Sequence, residues 1–291
     1  MRHAFLCDFD GTVSPSDVGA AFARAFSPRG AAESPEFLAR WRRGEMGHRQ
    51  LTEAQCRLLQ VTREQALAFA RPFALDPEVA PFVREAESRG DVVAVVSEGF
   101  DFYVRELLER AGLGRLPWSA NTLRFEGGRV IPEFPDPGLG CGRCGNCKAT
   151  HVEAWRARGY RTVLVGDGLS DRCGARAADR VLARRDLLAW CRSEGVAADP
   201  FETFADVRRL VQAPAGEGAD VPRPVQAPVG QGGAFPETPQ ARAARMAERA
   251  GDLAEAAPGR RRPGAFPGRL LPDPPEHEGA PDPRRLIPPE H

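Results

Sequence analysis

His3-Ala4-Phe5-Leu6-Cys7-Asp8-Phe9-Asp10-Gly11-Thr12 is the stretch around which the chain is organised. Its first five residues suit a short buried strand, and Asp8 and Asp10 follow two apart. In extended backbone, residues two apart point to the same side, so two carboxylates converge where the strand ends and Gly11 lets the chain turn. Like charges that close are costly unless neutralised. Mg²⁺ is commonly held by one or two carboxylates with waters and a substrate phosphate. Taken alone, the stretch also fits an ordinary strand followed by an acidic turn, so the decision rests on what the rest of the chain supplies.

Working outward, Asp91-Val92-Val93-Ala94-Val95-Val96 is a β-branched run of the kind buried on both faces of a parallel sheet, and it ends at Ser97-Glu98-Gly99. Arg161-Thr162-Val163-Leu164-Val165 is another, ending at Gly166-Asp167-Gly168-Leu169-Ser170-Asp171. Arg180 to Ala183 predicts a further strand, and the alternation over 118–134 with Gly127-Gly128 predicts a hairpin. Helices are predicted over 78–89, 101–111, 146–158, around 186–193 and from 202 to about 211. Strands alternating with helices argue an α/β, doubly wound, mostly parallel sheet, whose ligands bind beyond the carboxyl ends of the strands. Asp8, Asp10, Ser97, Asp167 and Asp171 all fall just past such ends. Residues 16–70 instead carry successive apolar faces at helical spacing: Ala20 to Phe26, Phe37 to Trp41, Leu51 to Leu59 and Ala66 to Ala70. The predicted division is a core made of 1–14 and 76–212, a helical insertion over 15–75 and a tail over 213–291.

Forty basic residues balance forty acidic ones among 291, which argues against a dedicated nucleic-acid or membrane-surface binder. No run suits a signal peptide or a membrane span, so a cytoplasmic protein is expected. Seven cysteines fit reduced thiols better than a disulfide framework. Thirty-nine of the forty basic residues are arginine, and the one lysine is Lys148. Lysine offers a compact ammonium where arginine offers a planar fork, which makes Lys148 a candidate site residue.

Sixteen of the 27 prolines lie in 213–291, among the near-repeats VQAPAGEG and VQAPVGQG and the endings LLPDPPEH and RLIPPEH. A segment of this composition buries too little apolar surface to offset ordering, so a disordered Pro-rich tail is expected. Pro239 to Ala257 is an Ala/Arg/Glu island of helical character.

Asp8-Phe9-Asp10-Gly11-Thr12, Ser97, Lys148 and Gly166-Asp167-Gly168-Leu169-Ser170-Asp171 stand in that order, and here the sequence resembles the haloacid dehalogenase-like (HAD) phosphatase superfamily, subfamily IB, over residues 1 to about 211. The resemblance implies a Mg²⁺-dependent phosphatase of a small phosphorylated metabolite acting through an aspartyl-phosphate. Asp8 is then the nucleophile and Asp10 the acid/base. Ser97 and Lys148 hold the phosphate. Asp8, the Asp10 carbonyl, Asp167 and Asp171 serve the metal. The insertion resembles a type 1 cap, whose polar residues in Gly44-Glu45-Met46-Gly47-His48-Arg49 are candidates for substrate contact, with Arg49 the best single guess. A different class of reading is a binding or scaffold protein acting through its tail.

Cys144-Gly145-Asn146-Cys147-Lys148, the run from Ser97 to Tyr103, and Phe201-Glu202-Thr203-Phe204 resemble more closely the 2-hydroxy-3-keto-5-methylthiopentenyl-1-phosphate phosphatase-like branch of methionine salvage. That branch lies near the phosphoserine and phosphoethanolamine/phosphocholine phosphatases. One departure is Glu98, where relatives commonly place glycine. Its charge either meets an anionic substrate or faces away, which bears on the substrate more than on the chemistry. Cys141, Cys144 and Cys147 recur every third residue with His151 four further on. A three-Cys, one-His zinc site is chemically feasible there, but paired knuckles usually lie far apart, and reduced loop thiols are the expectation.

Overall fold

The computed structural model describes residues 2–28, 35–127, 129–135 and 140–212. The expectations for the tail, including the island 239–257, lie outside the described residues. Seven strands form one sheet in the order β4-β3-β2-β1-β5-β6-β7. They are β1 (His3–Cys7), β2 (Val92–Phe100), β3 (Trp118–Glu126), β4 (Arg129–Glu133), β5 (Arg161–Gly166), β6 (Arg180–Ala183) and β7 (Asp199–Pro200). All neighbours run parallel except β3 and β4, the predicted hairpin. The two-residue β7 has no periodicity to betray it.

β1 is central because its residues are apolar on both faces. Phe5 and Cys7 enter one core with Phe82, Val93, Val95, Val163 and Val165, while Ala4 and Leu6 enter the other with Ala94, Val96, Trp155, Leu164 and Val181. β1 pairs with β2 on one side (Cys7 opposite Val95) and with β5 on the other (Cys7 opposite Val165). The ends of all three strands therefore stand level, and the chain turns one way and then the other around them, which is where ligands sit in such sheets.

Four helices lie between β1 and the core helix α5 (Val79–Ser88): α1 (Val18–Phe26), α2 (Pro35–Arg42), α3 (His48–Cys56) and α4 (Arg63–Ala70). The chain leaves and re-enters the core at neighbouring points, since the Asp76 amide donates to the Val13 carbonyl at 2.9 Å. The remaining helices are α6 (Asp101–Arg110), α7 (Lys148–Ala157), α8 (Arg172–Ala177), α9 (Arg185–Ser193) and α10 (Phe204–Gln212). α10 starts two residues later than the predicted 202, because the Asp206 carboxylate accepts the Glu202 and Thr203 amides at 2.9 Å each and holds them in a turn. The expected end of the second strand is also corrected: β2 runs through Ser97 to Phe100. It pairs Val96 with Ser119 and next Phe100 with Asn121. Two extra residues are therefore bulged out at Ser97–Gly99, a device that redirects side chains at a strand end. No helix among the described residues is long and apolar enough to cross a membrane.

Candidate active site

Three carboxylates and one ammonium meet where β1, β5 and α7 converge. Lys148, the first residue of α7 and fully buried, places Nζ 2.8 Å from Asp8 Oδ1 and 2.6 Å from Asp171 Oδ1. The other oxygen of Asp171 accepts the amides of Asp167 and Gly168 at 3.1 and 3.0 Å, which folds the loop after β5 back on itself. Asp167 accepts the Thr12 hydroxyl at 3.1 Å and the Arg185 guanidinium at 3.2 Å. Gly11 is indispensable at this crossing. Its φ is +75° and a Cβ there would lie 2.4 Å from Asp167 Oδ2, so a side chain meets both backbone strain and a clash.

One ligand oxygen from each of Asp8, Asp167 and Asp171 lies within 4.8 Å of the others. One buried lysine and the half-exposed Arg185 face three carboxylates, which leaves the site short of positive charge. Burial and the neighbouring Asp171 hold Asp8 well above the ordinary carboxyl range, despite Lys148, and the same two causes lift Asp167 to about 6. Lys148 shows the counterpart: burial alone would lower it, but Asp171 and Asp8 raise it well above its ordinary value. A cluster of hard oxygens in this electrostatic state fits a divalent cation.

Asp10 lies outside this carboxylate cluster. Its Oδ1 accepts the amides of Val18 and Gly19 at 2.8 and 3.1 Å at the start of α1, and its Oδ2 accepts the Tyr103 hydroxyl at 2.6 Å. Burial first, then the charge of Asp17, pushes Asp10 up to about 7, which suits a group that must both give and take a proton. Ser97 is fully buried. Its hydroxyl accepts the Gly99 amide at 2.8 Å and stands 3.5 Å from Asp10 Oδ2. A Cβ on Gly99 would fall inside the Tyr103 hydroxyl and 2.5 Å from Asp10 Oδ2, so the glycine this bulge needs comes one position after Glu98.

The model of the haloacid dehalogenase-like hydrolase family matches residues 5–176. The chain belongs to that family. A 2-hydroxy-3-keto-5-methylthiopentenyl-1-phosphate phosphatase of Exiguobacterium sibiricum is 31% identical over 215 residues, covering 71% of this chain and 95% of that one. Its namesake in Brevibacillus brevis is 28% identical over 217 residues, covering 71% and 94%. A phosphoserine phosphatase solved as a phospho-aspartyl intermediate analogue shares the fold, with a TM-score of 0.56 at 22% identity over 72% of this chain and 98% of that one. Among its relatives this HAD-like hydrolase is a phosphoric monoester hydrolase.

In this hydrolase the carboxylates of Asp8, Asp10 and Asp167 open into a cavity of about 550 Å³ beneath α1, α2 and α3. Glu98 lines it too. It is buried: the His48 imidazole of α3 lies 2.5 Å from its Oε2, which also accepts the Gly145 amide at 3.1 Å. Arg49, the best guess for a substrate contact, stands next to the residue that lines the cavity. It pairs with Glu53 at 3.2 Å and lies over the Phe134 ring, whereas His48 lines the cavity. Neighbours on a helix face different ways, and the composition of the segment does not say which one faces the core. Tyr103 is the site residue that sequence reasoning missed, while His48 lay among the polar residues of the Gly44–Arg49 segment without being singled out. Both are partners of residues it found, and no local pattern links them.

The His48–Glu98 contact carries a pH signature. Burial alone would lower His48, but the charge of Glu98 and the contact with it outweigh this and raise the imidazole above its ordinary value. Glu98 is correspondingly lowered against its own burial. The His48 contribution is therefore fully present below the unfolded value of about 6.5 and is lost as pH rises through the higher folded value. The Glu98 contribution is present above its unfolded value of about 4.5 and is lost as pH falls through the lower folded one. His48→Gln is expected to melt about 2–6 °C below the wild type near pH 6, with the gap closing as pH rises toward 9. Thermal melts across that range check it; a gap that stays constant or widens contradicts the pair.

Proposed function

We propose that this hydrolase removes the phosphoryl group from a small metabolite with a polar head and an uncharged apolar tail, 2-hydroxy-3-keto-5-methylthiopentenyl-1-phosphate being the substrate that fits best. The observation that carries this reading is the apolar part of the cavity that Asp8 also lines. Phe22, Leu51, Leu59 and Phe100 form its buried inner face, with Leu38 and Trp41 beside them. Such a wall gains free energy from a methylthioalkyl chain, whereas an ammonium or a carboxylate seated against it would lose hydration without compensation and would have to reach Asp17, Arg24 or Arg42 elsewhere on the cavity lining. The polar pair His48–Glu98 stands nearer the phosphate end, where a hydroxyl and a ketone need partners.

In this reading Asp8 attacks phosphorus through a carboxylate oxygen, forming the aspartyl-phosphate as the bond to the leaving oxygen breaks. Asp10 delivers its proton to that oxygen and then takes one from the water that attacks the same phosphorus; the Asp8–phosphorus bond breaks and inorganic phosphate leaves. The Tyr103 hydroxyl and the α1 amides hold the Asp10 carboxyl for both transfers. Lys148 keeps the attacking carboxylate oriented and offsets charge on the phosphate, and Ser97 donates to a phosphoryl oxygen. Mg²⁺ held by Asp8, the Asp10 carbonyl, Asp167 and Asp171 would supply the charge that lets a carboxylate approach a phosphate dianion. Residues 15–75 act as the cap that encloses the leaving group and excludes water.

Steady-state hydrolysis with Mg²⁺ and after chelation, on the methylthiopentenyl phosphate, phosphoserine and phosphoethanolamine, tests the reading. Activity is expected to vanish on chelation. The kcat/KM for the apolar substrate should exceed those for the two charged ones by about 100-fold or more, the worth of burying a few methylene equivalents and sparing a charge. Comparable kcat/KM for phosphoserine overturns the substrate assignment.

A further inference from the structure

Four thiols gather beside this site and play no part in the chemistry above. Cys141, Cys144 and Cys147 come from the segment before α7, and the fourth is Cys173 in α8; one sulfur from each lies within 4.8 Å of all the others. Cys141 and Cys144 are 3.4 Å apart, Cys144 and Cys173 3.9 Å. His151, the fourth donor of the zinc site that the spacing makes chemically feasible, is not part of this group. His151 is buried on α7 with Nε2 2.7 Å from Asn146 Oδ1, and Cys173 takes the fourth place. A tetrahedral Zn²⁺ with Zn–S bonds of about 2.3 Å sets its sulfurs about 3.8 Å apart, the spacing seen here. A polynuclear iron–sulfur cluster shares its four cysteine sulfurs among two or more irons and spreads them wider. Cys141-Gly142-Arg143-Cys144-Gly145 has the two-residue gap of a zinc knuckle. The Arg143 amide donates to the Cys141 sulfur and the Cys141 amide to the Cys147 sulfur, bonds that favour thiolates.

We infer that Cys141, Cys144, Cys147 and Cys173 bind one Zn²⁺ as a closed tetrathiolate site. With four protein ligands and no open position its role is structural. What it ties together gives it a purpose. Cys147 immediately precedes Lys148, and Cys173 lies two residues beyond Asp171. The Arg143 carbonyl accepts the Arg49 amide at 3.0 Å, joining the knuckle to α3. The ion would thus lock the segment that delivers Lys148 against the loop that carries Asp171, with α3 braced on top.

The full chain, purified without added metal and passed through a desalting column, is expected to carry about one zinc per chain by elemental analysis. Titration with an organomercurial in the presence of a zinc-binding dye should release that zinc as four thiols react. Replacement by Co²⁺ should give the thiolate charge-transfer and intense visible bands of a tetrahedral tetrathiolate. Cys173→Ser should lose the zinc while His151→Gln keeps it, which separates this donor set from the three-Cys, one-His alternative. Should Cys173→Ser fail to fold, the wild-type metal content and cobalt spectrum decide the matter alone. Protein holding no zinc with all its thiols freely reactive, holding iron in its place, or carrying these cysteines as disulfides overturns the inference. None of these measurements depends on turnover, so they stand apart from the substrate assignment.

Discussion

Asp8→Asn is expected to lose turnover by about 10⁴-fold or more, the scale set by removing a nucleophile, while melting no lower than the wild type in the absence of metal. The two halves of the result have one cause. Burial first, and then the charges of Asp171 and Asp167, hold the Asp8 carboxyl well above the ordinary range against the pull of Lys148. For a carboxyl raised in this way, folding favours the protonated form, and ionisation costs stability as pH climbs from the unfolded value toward the folded one. Asparagine has nearly the same shape, still offers an oxygen to Lys148 Nζ, and carries no charge to repel its neighbours. Activity falls and metal-free stability holds or rises, the usual mark of a residue kept for function at a cost in stability. Added Mg²⁺ should raise the wild-type melting temperature and raise that of the variant less. Thermal melts with and without Mg²⁺, alongside kcat, check both halves. A variant retaining a tenth of wild-type turnover removes Asp8 from the role of nucleophile.

Lys148→Arg is expected to be almost as damaging, although it conserves charge. Lys148 is fully buried between two carboxylates, at 2.8 Å from Asp8 and 2.6 Å from Asp171. α8 crowds its stem so closely that a Cβ on Gly174 would lie 2.8 Å from the Lys148 Cβ. A guanidinium is wider and must present a planar fork where the site is built for a point charge. Overpacking of this kind costs about 1–3 kcal/mol, and displacement of Asp8 or Asp171 by about 1 Å costs about 10²-fold in rate. The expected outcome is a kcat lower by 10²–10³-fold, roughly, with a melting temperature reduced by several degrees. Kinetics and melts of the purified variant settle it; wild-type kcat would mean that the single lysine of this arginine-rich chain has no special task.

The alternation of strands and helices was legible, because a β-branched run such as Val92–Val96 or Thr162–Val165 is buried on both faces wherever it folds. The positions of Asp8, Asp167 and Asp171 were legible for a related reason: a doubly wound sheet delivers its chemistry at strand ends, and strand ends are local features. The limit of β2 was not, since the bulge at Ser97–Gly99 arises from pairing with β3 and leaves no mark on hydrophobic periodicity. The choice between Arg49 and His48 was hidden because both are polar residues at the start of one helix, and only the docking of α3 on the core decides which one meets Glu98.

By itself, then, the sequence determined the sheet, the order of the site residues and the class of reaction, all of which depend on residue type and neighbours in the chain. The tertiary structure alone decided the partnerships: Tyr103 with Asp10, His48 with Glu98, and Cys173 rather than His151 with the three loop cysteines. Each joins residues about 26 to 93 positions apart along the chain, counting Cys173 from Cys147 and Tyr103 from Asp10. Such contacts are set by how helices pack across the sheet, and short-range spacing contains no record of them.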